Sequence, residues 1–175
     1  MSKLVIYDSL TGNTKMLAES IYNYFKEKEE KIEIVNAKSV SSEELKEKIN
    51  NANILFIGSW TDKGDCSEKI KEVYNMVNNK KIFVFATCGF GGDTSYYDKL
   101  FDRVKAHINE SNEIIGNFYC QGKMPLSVKE RYINLIKANP EDKNLEVSLE
   151  NFEKALSHPN EDDLNNLKNK LKEVI

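Results

Sequence analysis

The sequence predicts an α/β fold, a doubly wound sheet of five parallel strands. Three observations carry this. Short runs rich in β-branched and aromatic residues recur five times, and they are apolar throughout rather than alternating, the pattern of strands buried on both faces. Stretches of helical period lie between them, giving β-α-β-α-β-α-β-α-β. The chain has 175 residues with 40% hydrophobic and 30% charged content, which matches one domain with a full core.

The first run is KLVIYD at 3–8, followed by a glycine-containing loop at 9–14. The stretch TKMLAESIYNYFKEKEE (14–30) sets Leu17, Ile21, Tyr24 and Phe25 on one side and charges on the other, so it reads as a helix that ends in the solvated run KEKEEK. The second run is KIEIVN (31–36), with a helix at 42–51. The third is NILFIGSW (53–60), with a helix at 66–79, and the fourth is KIFVFAT (81–87), with a helix at 95–109. The fifth is IIGNFYCQ (114–121). The chain then continues through helical patterns at 126–138, 148–157 and 161–174, punctuated by Pro140 and Pro159. Leu164, Leu167, Leu171 and Val174 make the last of these the helix that covers the sheet. Residues 123–159 are then a helical insertion in a single domain spanning 1–175, emerging at the carboxyl edge of the strands. Its apolar face is Val128, Tyr132, Leu135 and Ile136, and Lys129 and Arg131 are left for solvent or a partner.

Composition excludes several classes. A formal net charge of −3 lacks the basic balance of a nucleic-acid binder. No apolar run approaches the length of a membrane span and the N-terminus carries no signal-peptide pattern, so no membrane partner and a cytoplasmic location are expected. Cys66, Cys88 and Cys120 are odd in number and lack metal spacing, so reduced thiols are expected and no metal site. Cys88 ends a buried strand and reads as a core residue. Cys66 opens a helical stretch, where a thiolate is stabilised, with only Lys63 and Lys69 nearby. His107 and His158 read as surface residues.

In doubly wound sheets ligands sit outside the carboxyl ends of the strands, at the switch point. Three loops lie there. Ser9-Leu10-Thr11-Gly12-Asn13-Thr14 passes from strand to helix and supplies hydroxyl, amide and backbone donors at a positive dipole end, a cradle for a phosphate. It has neither the P-loop lysine nor G-x-G-x-x-G, so a mononucleotide fits better than a dinucleotide. The second loop, with Ser59, Trp60, Thr61, Asp62, Lys63 and Gly64, sets the only tryptophan where a flat ring would lie, followed by a tight turn whose peptide is free to rotate. The third, with Thr87, Cys88, Gly89, Phe90, Gly91 and Tyr96, is glycine-rich and carries an aromatic for the second face of a ring.

These three stretches, S-L-T-G-N-T, Trp60 in its turn, and C-G-F-G-G-D-T-S-Y-Y, resemble the flavodoxin family, with the likeness running over about residues 1–122. The resemblance implies the strand order 2-1-3-4-5 and FMN as cofactor. Ser9, Thr11, Gly12, Asn13 and Thr14 would hold its phosphate, Trp60 would line the isoalloxazine and the 87–96 loop would close over it. The uninterrupted fifth strand is similar to the short-chain type. The extra FGG at 90–92 leaves both Phe90 and Tyr96 as candidates to stack. The turn, CQGKMP and the extra helices are similar to anaerobe flavodoxin-like proteins found beside tetrapyrrole or bilirubin reductases. The resemblance implies a monomeric electron carrier between redox partner proteins, more than a stand-alone enzyme. Two alternatives share the fold. One is a flavin-dependent quinone or azo reductase. The other is a receiver-like signalling domain, for which Asp8, Asp62, Thr87 and Lys123 roughly occupy the required places.

Overall fold

The computed structural model describes residues 1–175. Its strands are β1 (Lys3–Asp8), β2 (Ile32–Asn36), β3 (Ile54–Asp62), β4 (Asp65–Cys66), β5 (Lys81–Cys88) and β6 (Glu113–Gln121). The helices are α1 (Asn13–Lys26), α2 (Ser42–Asn51), α3 (Glu68–Tyr74), α4 (Thr94–Lys105), α5 (Leu126–Ala138), α6 (Lys143–Ala155) and α7 (Glu161–Val174). The sheet order is β2-β1-β3-β5-β6, and all four of these neighbouring pairs are parallel. Counting only the parallel strands, this is the predicted 2-1-3-4-5.

Both faces of the sheet are covered, which is why the strands read as unbroken apolar runs. Leu4, Ile6, Leu55, Ile57, Val84 and Ala86 pack beneath α2, α3 and α4, with Leu45, Ile49, Ile70, Val73, Leu100 and Val104. Val5, Tyr7, Phe56, Phe83 and Phe85 face α1 and α7, meeting Leu17, Ile21, Phe25, Leu167 and Leu171. Leu167 and Leu171 are fully buried, so each contributes roughly 1.5–3 kcal/mol by burial, and α7 is the covering helix the spacing predicted. No helix is long and apolar enough to cross a membrane.

Two helix starts and the burial of one helix differ most from the sequence reading. The helix expected at 66–79 shrinks to Glu68–Tyr74, because Asp65 and Cys66 form β4 and pair back antiparallel on Thr61 and Asp62 of β3, and Ser67 caps the helix by accepting from the Ile70 amide at 3.4 Å. The helix expected at 148–157 begins at Lys143, since the Asp142 carboxylate accepts from the Asn144 amide at 3.0 Å and opens it five residues early. In α5 no residue is buried, and Leu135 is exposed where the apolar face was expected. α5 packs on α6, and Lys129 is spent within that pair, bonded to Glu153 and lying over the Phe152 ring. It is not the free cation the sequence reading assigned to a partner.

Candidate functional site

β1 ends at Asp8 and the chain turns through Ser9–Gly12 into α1. Gly12 is the N-cap, with φ 95°, a left-handed conformation that costs other residues roughly 1–2 kcal/mol. Nothing lies within 4 Å of where its Cβ would be, so backbone conformation and not space demands glycine. Ser9 Oγ accepts from the Gly12 amide at 3.1 Å. Asn13 is buried and its Nδ2 donates to Thr11 Oγ1 at 3.2 Å and to the Lys123 carbonyl at 2.9 Å, while its Oδ1 has no partner. The amides of Asn13, Thr14 and Lys15 donate to no protein group. Free amides at a helix start suit an anion, and the orphaned Asn13 oxygen, an acceptor, suits a donor such as a hydroxyl beside it. Thr14 is fully buried, its hydroxyl 2.9 Å from that of Thr87, so it ties the first loop to the third as well as facing the helix start.

Trp60 is held from below. Its indole N–H donates to Asp8 Oδ2 at 3.1 Å, and Asp8, 1% exposed, has Lys38 Nζ 2.9 Å from its other oxygen. Ser59 is buried, its hydroxyl accepting from the Ser67 amide at 2.8 Å, and Thr61 donates to the Thr87 carbonyl at 2.9 Å. Lys63 (φ 50°) and Gly64 (φ 80°) make the two-residue link of the β3–β4 hairpin, the geometry of a type I′ turn. Arg103 of α4 donates to the Gly64 carbonyl at 3.1 Å, and turning the Lys63–Gly64 peptide over would need glycine at position 63.

Asp65, next in the hairpin, meets His107 Nε2 at 2.9 Å and Lys71 at 3.4 Å. Burial pushes the Asp65 carboxyl up, but the bond to His107, the Cys66 amide and the charges of His107 and Lys71 outweigh it and hold the group below the ordinary carboxylate range. His107 is therefore a paired, half-buried residue and not a loose surface one, and His158 likewise meets Asp163 at 2.7 Å. Cys66 is buried, and burial with the nearby Asp65 charge pushes its thiol up to about 12. It stands in β4 ahead of the α3 cap, so no helix start stabilises a thiolate there. Burial likewise raises Cys88 to about 12, the inert thiol expected of a core residue.

In the third loop the Cys88 thiol donates to the Phe90 carbonyl at 2.9 Å. Phe90 is 40% exposed, whereas Tyr96 packs against the core beneath α4.

These loops enclose a cavity of about 330 Å³ at the carboxyl ends of β1, β3 and β5. Of the predicted residues, Thr11, Asn13, Trp60, Thr61, Thr87, Cys88 and Gly89 line it. Ser9, Gly12, Thr14, Ser59, Asp62, Lys63, Gly64, Phe90, Gly91 and Tyr96 do not, and stand behind or beside its walls. Sequence reasoning missed the opposite wall, which runs from Gly122 through Met124 and Pro125 to Val128 and Arg131 of α5. The signal was CQGKMP, read only as part of the likeness to anaerobe flavodoxin-like proteins and not as cavity wall. It also missed Asp8 as the anchor of Trp60.

A switch-point cavity with an anion-binding helix start and an aromatic wall belongs to the mononucleotide-binding, doubly wound proteins. The chain itself is a member of the flavodoxin family: the family model described as Flavodoxin domain matches residues 4–172. Among its relatives are flavodoxin-like domain-containing proteins BilS. That of Clostridioides difficile is 37% identical, covering 94% of this chain and 90% of the relative. That of Clostridium symbiosum is 34% identical over the same shares. The fold is similar to that of the Streptococcus pneumonia TIGR4 flavodoxin, with a TM-score of 0.54 and 14% identity, covering 99% of this chain and 97% of that one. Family membership makes FMN the cofactor, and the free amides and orphaned Asn13 oxygen fit its phosphate and hydroxyl-bearing chain.

Proposed function

We propose that the protein is an electron carrier that passes low-potential electrons between redox partner proteins and has no substrate of its own. The observation that carries this is the rim of the cavity. Leu10 (62% exposed) lines it, and Phe90 (40%) and Leu126 (69%) directly follow the lining residues Gly89 and Pro125 in the chain. An exposed apolar rim is a surface that a transient protein partner covers.

In this reading the amides of Asn13, Thr14 and Lys15 bind the FMN phosphate, Trp60 lies against the ring from the β3 side, and Phe90 covers its outer face. Phe90 takes that role over Tyr96 because Tyr96 is partly buried with its ring against the core, whereas Phe90 stands exposed. The bound FMN supplies one-electron chemistry; the chain orients it and limits the entry of water. The Asp8 carboxylate is engaged with Trp60 and Lys38, which favours this over a receiver, whose acid at that place must stay free for a metal ion. Asp62, Lys63 and Gly64, in the hairpin beside the cavity, support the ring from behind Trp60.

The experiment is steady-state kinetics of the FMN-loaded protein with reduced nicotinamide and quinone or azo acceptors, alone and with an added flavodoxin reductase. The carrier reading expects negligible turnover alone and rapid reduction through the reductase. Fast turnover by the protein alone makes it an enzyme.

A further inference from the structure

The helical pair α5–α6 has no counterpart in the minimal sheet-and-helix fold, and α6 reaches the cofactor loop through one side chain. Asn151 Nδ2 donates to the Gly89 carbonyl at 2.9 Å. Gln121, at the end of β6 and 7% exposed, donates to the same carbonyl at 3.0 Å and to Asn151 Oδ1 at 2.9 Å. The three bonds close a triangle that works in one orientation of the two amides only. A turned Asn151 would set its oxygen against the Gly89 oxygen. Asn151 itself is fixed by its neighbours on α6, Phe152 and Ala155, both fully buried.

The next peptide is held the same way. The Phe90 carbonyl accepts from the Cys88 thiol at 2.9 Å, and the Cys88 carbonyl accepts from the Gly122 amide at 2.9 Å. The carbonyls of residues 88, 89 and 90 are thus all engaged, while the amides of Phe90 and Gly91 donate to no protein group. A trans peptide is planar, with its N–H opposite its C=O. Fixing the Gly89 and Phe90 carbonyls therefore fixes the Phe90 and Gly91 N–H groups, which point away from those carbonyls' partners; Gly89, which precedes them, lines the cavity.

We infer that Asn151, with Gln121 and Cys88, is a positioning residue for the cofactor: α6 holds the loop so that the Phe90 and Gly91 amides are preset for acceptor atoms of the bound ring. The insertion works as a brace built into the site. Preset donors bind without the entropy cost of ordering a glycine-rich loop.

This rests on FMN binding in the cavity, so wild-type affinity is measured first, and its absence would sink that reading rather than this one. Asn151→Ala and Asn151→Asp are then titrated with FMN and with riboflavin, and hydrogen exchange of the 89–92 amides is followed in the flavin-free protein. Asn151→Ala is expected to weaken FMN and riboflavin by the same factor, about tenfold for one lost hydrogen bond, and to speed exchange at Phe90 and Gly91. Asn151→Asp is expected to be at least as damaging, since a carboxylate cannot donate to a carbonyl. Asn151→Ala keeps the test open should Asn151→Asp fail to fold, because alanine favours the helix. Unchanged affinity and exchange in Asn151→Ala overturn the inference, whether or not the melting temperature falls. A loss confined to FMN, which would trace to the phosphate end, also overturns it.

Discussion

The indole of Trp60 rests on the carboxylate of Asp8, with Nε1 donating to Oδ2 at 3.1 Å across the β1–β3 pair. Asp8→Ala removes the only partner of that N–H, at a cost of about 1–3 kcal/mol. Lys38 is half exposed and loses its partner to water at little penalty. Trp60 is the sole tryptophan, so its emission reports the change directly. Asp8→Ala should shift the emission of the flavin-free protein and weaken FMN about tenfold. Unaltered emission with unaltered affinity would show that the bond does not hold the ring.

The Thr14 and Thr87 hydroxyls, 2.9 Å apart and buried, allow a sharper test of the phosphate loop. Only one hydrogen can lie between the two oxygens. Thr14→Val and Thr87→Val should each destabilise the fold by about 1–3 kcal/mol through the partner left unpaired, and the double variant should cost less than their sum. Only Thr14→Val should weaken FMN more than riboflavin, since Thr14 stands at the helix start. Equal effects of the two variants on FMN would remove Thr14 from the phosphate site.

The strands and α7 were legible because burial on both faces and a 3.6-residue period leave plain marks in sequence; the strand order came only from the resemblance carried by the three loops. α5 was legible to the residue. β4 was not: a two-residue strand has no period, and Asp65-Cys66 reads as the start of the next helix until Ser67 is seen to cap it. The phosphate loop was legible because its chemistry is local. The wall from Gly122 to Arg131 and the Asn151 bond to Gly89 were not, since each joins residues far apart in the chain. Asp8 was placed only in the receiver-like alternative, because nothing in sequence shows that an indole 52 residues on lands upon it.

The Asp65–His107 pair ties the β3–β4 hairpin to the turn that follows α4 and carries a pH signature. The Asp65 carboxyl lies below its ordinary value of 3.8, so its contribution to stability is present above that value and is lost as pH falls through the lower, folded value. Asp65→Asn should therefore lower stability in urea at pH 7, and the difference from wild type should shrink at pH 3 and below. A difference constant over that range would contradict the depressed carboxyl.

Gly64 has φ 80° and its Cβ would fall 2.3 Å from Arg103 Nη1. Gly64→Ala should cost about 1–2 kcal/mol in backbone strain and displace the guanidinium from the Gly64 carbonyl. Arg103→Met should relieve the clash without relieving the strain, so the double variant should recover part of the loss. Full additivity in thermal unfolding would show that Arg103 does not hold the turn.

The central claim is that α1 begins at a phosphate site and that FMN occupies the cavity beside Trp60. Titrating the flavin-free protein with FMN and with riboflavin, read by quenching of Trp60, tests it most directly. The free amides of Asn13, Thr14 and Lys15 predict that both flavins quench Trp60 and that FMN binds at least about a hundredfold tighter, since charge-assisted bonds contribute roughly 1.5–3 kcal/mol each. Equal affinities, or FMN binding without quenching, would contradict it.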